Sequence, residues 1–124
     1  MHRMVVAQED PLPVTHLTEL EFCNTLRFKI FLTEMVSEDV ESLISLYRER
    51  KWSGQYFVPP FDPVALHELC LGMTERTAAI GCRALDILHV AAARLCDAAM
   101  FVTADKRQAG LADAEGRTVK LLPA

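Results

Sequence analysis

The stretch Arg83-Ala84-Leu85-Asp86-Ile87-Leu88-His89-Val90-Ala91-Ala92-Ala93-Arg94-Leu95-Cys96, with Met100-Phe101-Val102-Thr103-Ala104-Asp105-Lys106-Arg107 close behind it, decides the fold class. Its first part sets Leu85, Ile87, Leu88, Val90, Ala91, Ala92 and Leu95 around nearly every side of a helix, which leaves little for water and puts that helix in the middle of a domain. Its second part opens with the composition of a buried strand, after which Asp105 begins a polar helix that Gly116 can terminate. Thr118 to Leu122 reads as a final strand. Strands alternating with helices imply parallel pairing and an α/β sheet covered by helices, whose ligands sit beyond the carboxyl ends of the strands. Asp105 lies at such an end.

Working back along the chain, Asp62-Pro63 supplies a cap and a proline at the first helical position, so a helix is expected from Val64 toward Ala79, ended by Gly81. Tyr56-Phe57-Val58 is a short extended run stopped by Pro59-Pro60, which suits an edge strand. Ser37 can cap a helix that buries Val40, Leu43, Ile44 and Tyr47 and wets Glu41, Arg48 and Lys51. Before it, Thr18-x-x-Glu21 has the spacing of a capping box, and a helix is expected from Thr18 to Leu32. On that helix Leu17, Leu20, Glu21, Asn24, Phe28 and Phe31 share one face. Val14-Thr15-His16-Leu17 reads as a short strand, closed off from what precedes it by Asp10-Pro11-Leu12-Pro13. Met1 to Gln8 reads as the tail of a helix.

The chain has 124 residues, 51% of them apolar and 24% charged, with a formal net charge of −4. That length fits one domain with a real core spanning residues 1–124, and the apolar fraction excludes a disordered chain. The acidic balance argues against coating nucleic acid through bulk charge, so any RNA or DNA chemistry must be driven by a site. Cys23, Cys70, Cys82 and Cys96 stand far apart, with neither a zinc spacing nor a redox pair, which points to a reducing, cytoplasmic compartment. No apolar run approaches the roughly 18 residues of a membrane span. No secretory segment is legible at the start.

Most acidic residues fall on wet faces or in turns. Three do not: Glu21 shares an apolar stripe, Asp86 interrupts the most apolar helix in its first turn, and Asp105 follows the most apolar strand. Burying an unpaired carboxylate costs several kcal/mol, so each needs a partner. A shared divalent cation satisfies all three, and oxygen ligands without sulfur point to Mg²⁺ or Mn²⁺, hence to hydrolysis of a phosphodiester. Each also has a local reading: Glu21 closing a capping box on Thr18, Asp86 favouring its helix start or pairing with Arg83, Asp105 capping the last helix. Asn24, one turn from Glu21, can hold that carboxylate or bond the backbone, and Thr103 can offer its hydroxyl or simply favour a strand. His89 fits a histidine bonded to a backbone carbonyl better than a ligand. Arg48, Arg50 and Lys51 beside Trp52 can grip phosphates under a stacked base, or merely complement the end of their helix.

On three segments the chain resembles the PIN-domain ribonucleases, most of all the VapC-type toxins of bacterial toxin–antitoxin pairs. They are Val14 to Leu17 leading into Glu21-Phe22-Cys23-Asn24-Thr25-Leu26-Arg27, then Arg83 to Ala93, then Phe101 to Arg107. The resemblance covers about residues 13 to 122. It implies a three-layer domain with a central parallel sheet and a Mg²⁺- or Mn²⁺-dependent endoribonuclease in which Glu21, Asp86 and Asp105 hold the metal. Thr103 then matches the hydroxyl before the last acid, and Asn24 the asparagine near the second. It further implies an RNA substrate, a cognate antitoxin protein and a homodimer, with no membrane role. The family's first strand and its aspartate have no counterpart here, so an N-terminally truncated PIN-like domain is expected, with Met1 internal to a longer protein. The alternative that follows is a catalytically inactive, protein-binding module. A flavodoxin-like nucleotide-binding domain lacks its glycine-rich phosphate loop.

Overall fold

The computed structural model describes residues 12–123, so the readings of Met1 to Gln8 and of Asp10-Pro11 lie outside the described residues. The fold is mixed α/β, mostly helical, with short parallel strands. It divides into two compact units, the chain passing from the first to the second between Pro59 and Pro60.

In the first unit, β1 (Leu12–Pro13) pairs in parallel with β2 (Tyr56–Phe57), and the helices α1 (His16–Phe31) and α2 (Ser37–Trp52) form the crossover between them. The expected strand over Val14 to Leu17 is displaced toward the N-terminus because Thr15, not Thr18, caps the helix. Thr15 is extended, its Oγ1 accepts the Thr18 N–H at 3.0 Å, and the two threonine hydroxyls lie 2.9 Å apart. A cap side chain satisfies an N–H that the helix itself cannot, so the first such residue with extended backbone sets the start. In β1, the Leu12 N–H donates to Gln55 at 2.9 Å and the Val14 N–H to Phe57 at 2.8 Å. Pro13, which has no N–H, occupies the position between these two donors.

The hairpin is antiparallel, since Glu19 near the start of α1 meets Lys51 near the end of α2, and Arg27 later in α1 meets Glu41 early in α2. The face of α1 expected to be buried is not. Leu20, Asn24, Phe28 and Phe31 are exposed, and Phe22 takes the inward place against Tyr47, with ring centroids 5.3 Å apart. Tyr47 stacks in turn on Tyr56 at 5.5 Å, and these rings with Val14 form the small core. Val40, Ile44 and Tyr47 are buried as expected, whereas Leu43 is partly exposed.

In the second unit, Asp62 accepts the Val64 N–H at 3.0 Å and Pro63 begins α3 (Pro63–Met73), as the sequence predicts. The single helix expected to run on to Ala79 is instead broken into α3, a 3₁₀ turn (Thr74–Arg76) and α4 (Thr77–Ile80). Gly81, at φ +77°, ends it in the left-handed conformation that costs glycine least. Helix α5 (Ala84–Leu95) packs against both α3 and α6 (Lys106–Ala114), with Val90 and Ala91 fully buried beside Leu111. Its alanines admit close approach of the neighbouring helices, although Leu85 and Leu95 remain partly exposed. Strand β3 (Phe101–Thr103) pairs in parallel with β4 (Val119–Leu121), α6 being the crossover. Parallel pairing is thus as expected within each unit, but in place of one central sheet the described strands form two two-stranded sheets, one per unit. Among the described residues, no helix is long and apolar enough to cross a membrane.

Candidate functional site

In the second unit the buried residues are apolar with two exceptions among those described, Asp86 and Thr103. Asp86 stands at the third position of α5. Arg83 before it is extended, so its backbone N–H points along the helix start, and the Asp86 Oδ2 accepts it at 2.9 Å. The positive end of the helix favours a carboxylate there. The local alternative of a pair with Arg83 therefore holds through Arg83's backbone. Burial pushes the neighbouring Cys82 thiol up, and the charge of Asp86 pushes it further.

Thr103 closes β3 and is 3% exposed. Its hydroxyl accepts the Asp105 backbone N–H at 3.0 Å and donates to the Gln108 side-chain oxygen at 2.8 Å. Asp105 caps α6: its Oδ1 takes the N–H groups of Arg107 at 2.8 Å and Gln108 at 3.1 Å, and the residue is exposed. Strand end, turn and helix start are thereby tied into one rigid unit. Gln108, held through both backbone and side chain, is a part of it with no sequence signal of its own, because the latch depends on strand geometry.

Glu21 is half-buried on α1 in the first unit, and Asn24 is exposed on the same helix. The supposed Thr18-to-Glu21 capping box does not start that helix, which begins earlier at His16. Among the described residues, no three or more His, Cys, Asp and Glu side chains stand together as a group able to hold a metal ion. The carboxylates that share a unit are Asp86 and Asp105. Oxygen donors suit a hard cation, and Mg²⁺ commonly takes one or two carboxylates and completes its shell with water and substrate phosphate. Carboxylate oxygens are the donor type that Mg²⁺ or Mn²⁺ takes.

Two polar clusters escape a reading by sequence. In the first unit, Glu19 accepts from the Tyr47 hydroxyl and from Lys51 Nζ, both at 2.7 Å. Burial alone raises a carboxyl, but the hydrogen bonds from Lys51 and Tyr47, with the charges of Lys51 and His16, outweigh it and hold Glu19 below its ordinary range. The Tyr47 phenol is pushed up by burial and by the Glu19 carboxylate, so it serves as a donor and not as a base. In the second unit, the almost buried Glu115 side chain accepts from Arg76 Nε at 2.6 Å and Arg94 Nη1 at 2.7 Å. That pairing joins the turn after α3, the end of α5 and the end of α6.

Compared with family models, with curated proteins and with solved structures, the chain matches none.

Proposed function

We propose that this chain is a metal-dependent endoribonuclease with a PIN-like three-layer fold, the toxin of a toxin–antitoxin pair, acting in the cytoplasm as a homodimer restrained by a cognate antitoxin. The observation that carries the reading is chemical: the two polar residues buried in the second unit among those described, Asp86 and Thr103, are two of those that the resemblance assigns to the site. A third, Asp105, is fixed by the Thr103 hydroxyl.

In this reading Asp86 and Asp105 would hold Mg²⁺ or Mn²⁺. When bound, such an ion lowers the pKa of a water and offsets charge on the phosphate being displaced. The helix starts orient both carboxylates, Thr103 and Gln108 keep Asp105 in place, and the apolar body of α5 excludes water from behind Asp86. Preset donors of this kind need no rearrangement as charge develops. Glu21, with Asn24 beside it, takes its part from the resemblance alone.

The opposing observation is that Asp86 and Asp105 each already cap a helix, as they would in a catalytically inactive, protein-binding module. Asp86→Asn separates the two readings, because the amide oxygen still accepts the Arg83 N–H while the charge is lost. With Mg²⁺ or Mn²⁺, cleavage of RNA by the parent is expected, and a loss of about 10²- to 10³-fold in Asp86→Asn with little change in Tm. Equal cleavage by both proteins rejects the nuclease. Mn²⁺ at a hundredfold excess over Kd stabilises a folded protein by about 2.7 kcal/mol, so a Tm that ignores Mn²⁺, with no cleavage, favours the binding module.

A further inference from the structure

We propose that Trp52, with Arg48, forms a platform on the first unit on which a base of single-stranded RNA stacks while the guanidinium holds a neighbouring phosphate. The idea rests on the endoribonuclease reading for its purpose, though not for its test.

Trp52 is the last residue of α2 and is 94% exposed, the highest value among the large apolar side chains of the described residues. Nothing in its own unit shields that ring. Arg48 lies one helical turn before it, on the same face. Cations at a helix end ordinarily complement the partial negative charge there, but here their fates differ. Lys51 is neutralised by Glu19, Arg27 by Glu41 and Lys29 by Glu34. Among the described residues Arg48 and Arg50 take part in no ion pair. The Arg48 guanidinium, without an ion pair among the described residues, thus lies one turn from an uncovered indole.

The matching partner must bring negative charge at short intervals together with flat apolar faces. Single-stranded nucleic acid has both, whereas a duplex hides its base faces. A tryptophan among cations also suits an anionic membrane surface. The residues after Trp52 oppose that occupant: Ser53, Gly54 and Gln55 are exposed and offer no apolar wedge to enter a lipid layer.

Trp52 is the single tryptophan of the chain, so its emission reports the platform directly. The experiment titrates the full chain with a short oligouridylate in EDTA, where cleavage plays no part. Saturable quenching is expected, with log K falling against log salt by about 0.7 for each phosphate held. Binding of a labelled oligomer should weaken by about 5- to 150-fold in Trp52→Ala and less in Trp52→Phe, and Arg48→Ala should flatten the salt slope. The substitution removes no packing, so circular dichroism should stay unchanged. Absence of quenching, or equal affinity of parent and Trp52→Ala, overturns the platform, as does a blue shift on phosphatidylserine vesicles without a response to RNA. If Trp52→Ala binds like the parent while the parent cleaves RNA in Mg²⁺, the platform fails and the nuclease stands. If the oligomer quenches Trp52 but no metal supports cleavage, the platform stands and the nuclease fails.

Discussion

Thr103 donates its hydroxyl proton to the Gln108 side-chain oxygen at 2.8 Å, so the end of β3 and the first turn of α6 are joined by a bond that neither element could form alone. The Thr103 hydroxyl oxygen in turn accepts the Asp105 N–H. Thr103→Val keeps the shape and removes both bonds. At a buried position this should cost about 1–3 kcal/mol, read as a lowered midpoint in urea. Thr103→Ser should recover most of it, and a valine variant as stable as the parent contradicts the latch.

Asp105 is given two roles, cap and metal ligand, that different substitutions separate. Asparagine caps a helix about as well as aspartate, whereas alanine does not. Asp105→Asn should therefore keep the parent's stability and lose its RNA cleavage, while Asp105→Ala should lose cleavage and about 1 kcal/mol besides. Thermal melts beside a cleavage assay decide this. Equal cleavage by Asp105→Asn and the parent removes Asp105 from the ligand set.

Glu115 gathers Arg76 and Arg94 through a side chain that is 7% exposed. The arginines are themselves about half exposed and can rehydrate when the glutamate is removed, which moderates the cost. Glu115→Ala should destabilise the protein by about 1–3 kcal/mol. Hydrogen exchange should rise at the end of α6 and in the turn after α3. If exchange rises only in α6, the arginine bridge carries little of the energy.

Glu19 is held below its ordinary pKa in the folded chain. Between the folded and unfolded values the unfolded chain binds more protons, so stability rises with pH across that window. The contribution is complete above the ordinary glutamate value near 4.3 and is lost as pH falls through the folded value. Tyr47 works in the opposite sense: its folded pKa is raised, so its contribution is present below about 10 and fades as pH climbs beyond. Tm of the parent should drop more steeply than that of Glu19→Gln from pH 5 to 3. Parallel curves exclude the Glu19 contribution.

Features set by neighbours in the chain were legible. Asp62 with Pro63, and Asp105 before Lys106, sit where capping chemistry puts them, because an N-cap answers to N–H groups two or three residues away. The central role of α5 followed from apolar residues on most of its sides. What failed had two competing local answers. Thr15 and Thr18 both resemble caps, and only the extended backbone at Thr15 decides. Helix α1 carries apolar residues on two faces, and the choice of Phe22 over Phe28 was made by Tyr47, on a different helix. Glu115 was illegible for the same reason, its partners lying 39 and 21 residues away. As for the site, the sequence singled out Glu21, Asn24, Asp86, Thr103 and Asp105; the first two lie on α1 in the first unit, and the fixed bonds of the other three became visible only in three dimensions.

The proline in β1 bears on how this protein behaves when concentrated. Leu12 and Val14 spend their N–H groups on β2, so the opposite border of the strand belongs to Pro13, which offers an incoming chain a carbonyl and no proton. A stranger aligning there finds a gap in the ladder, and the pyrrolidine ring keeps it from closing in. Replacing that ring with an ordinary residue would restore a donor on that border and make it a better template for another strand.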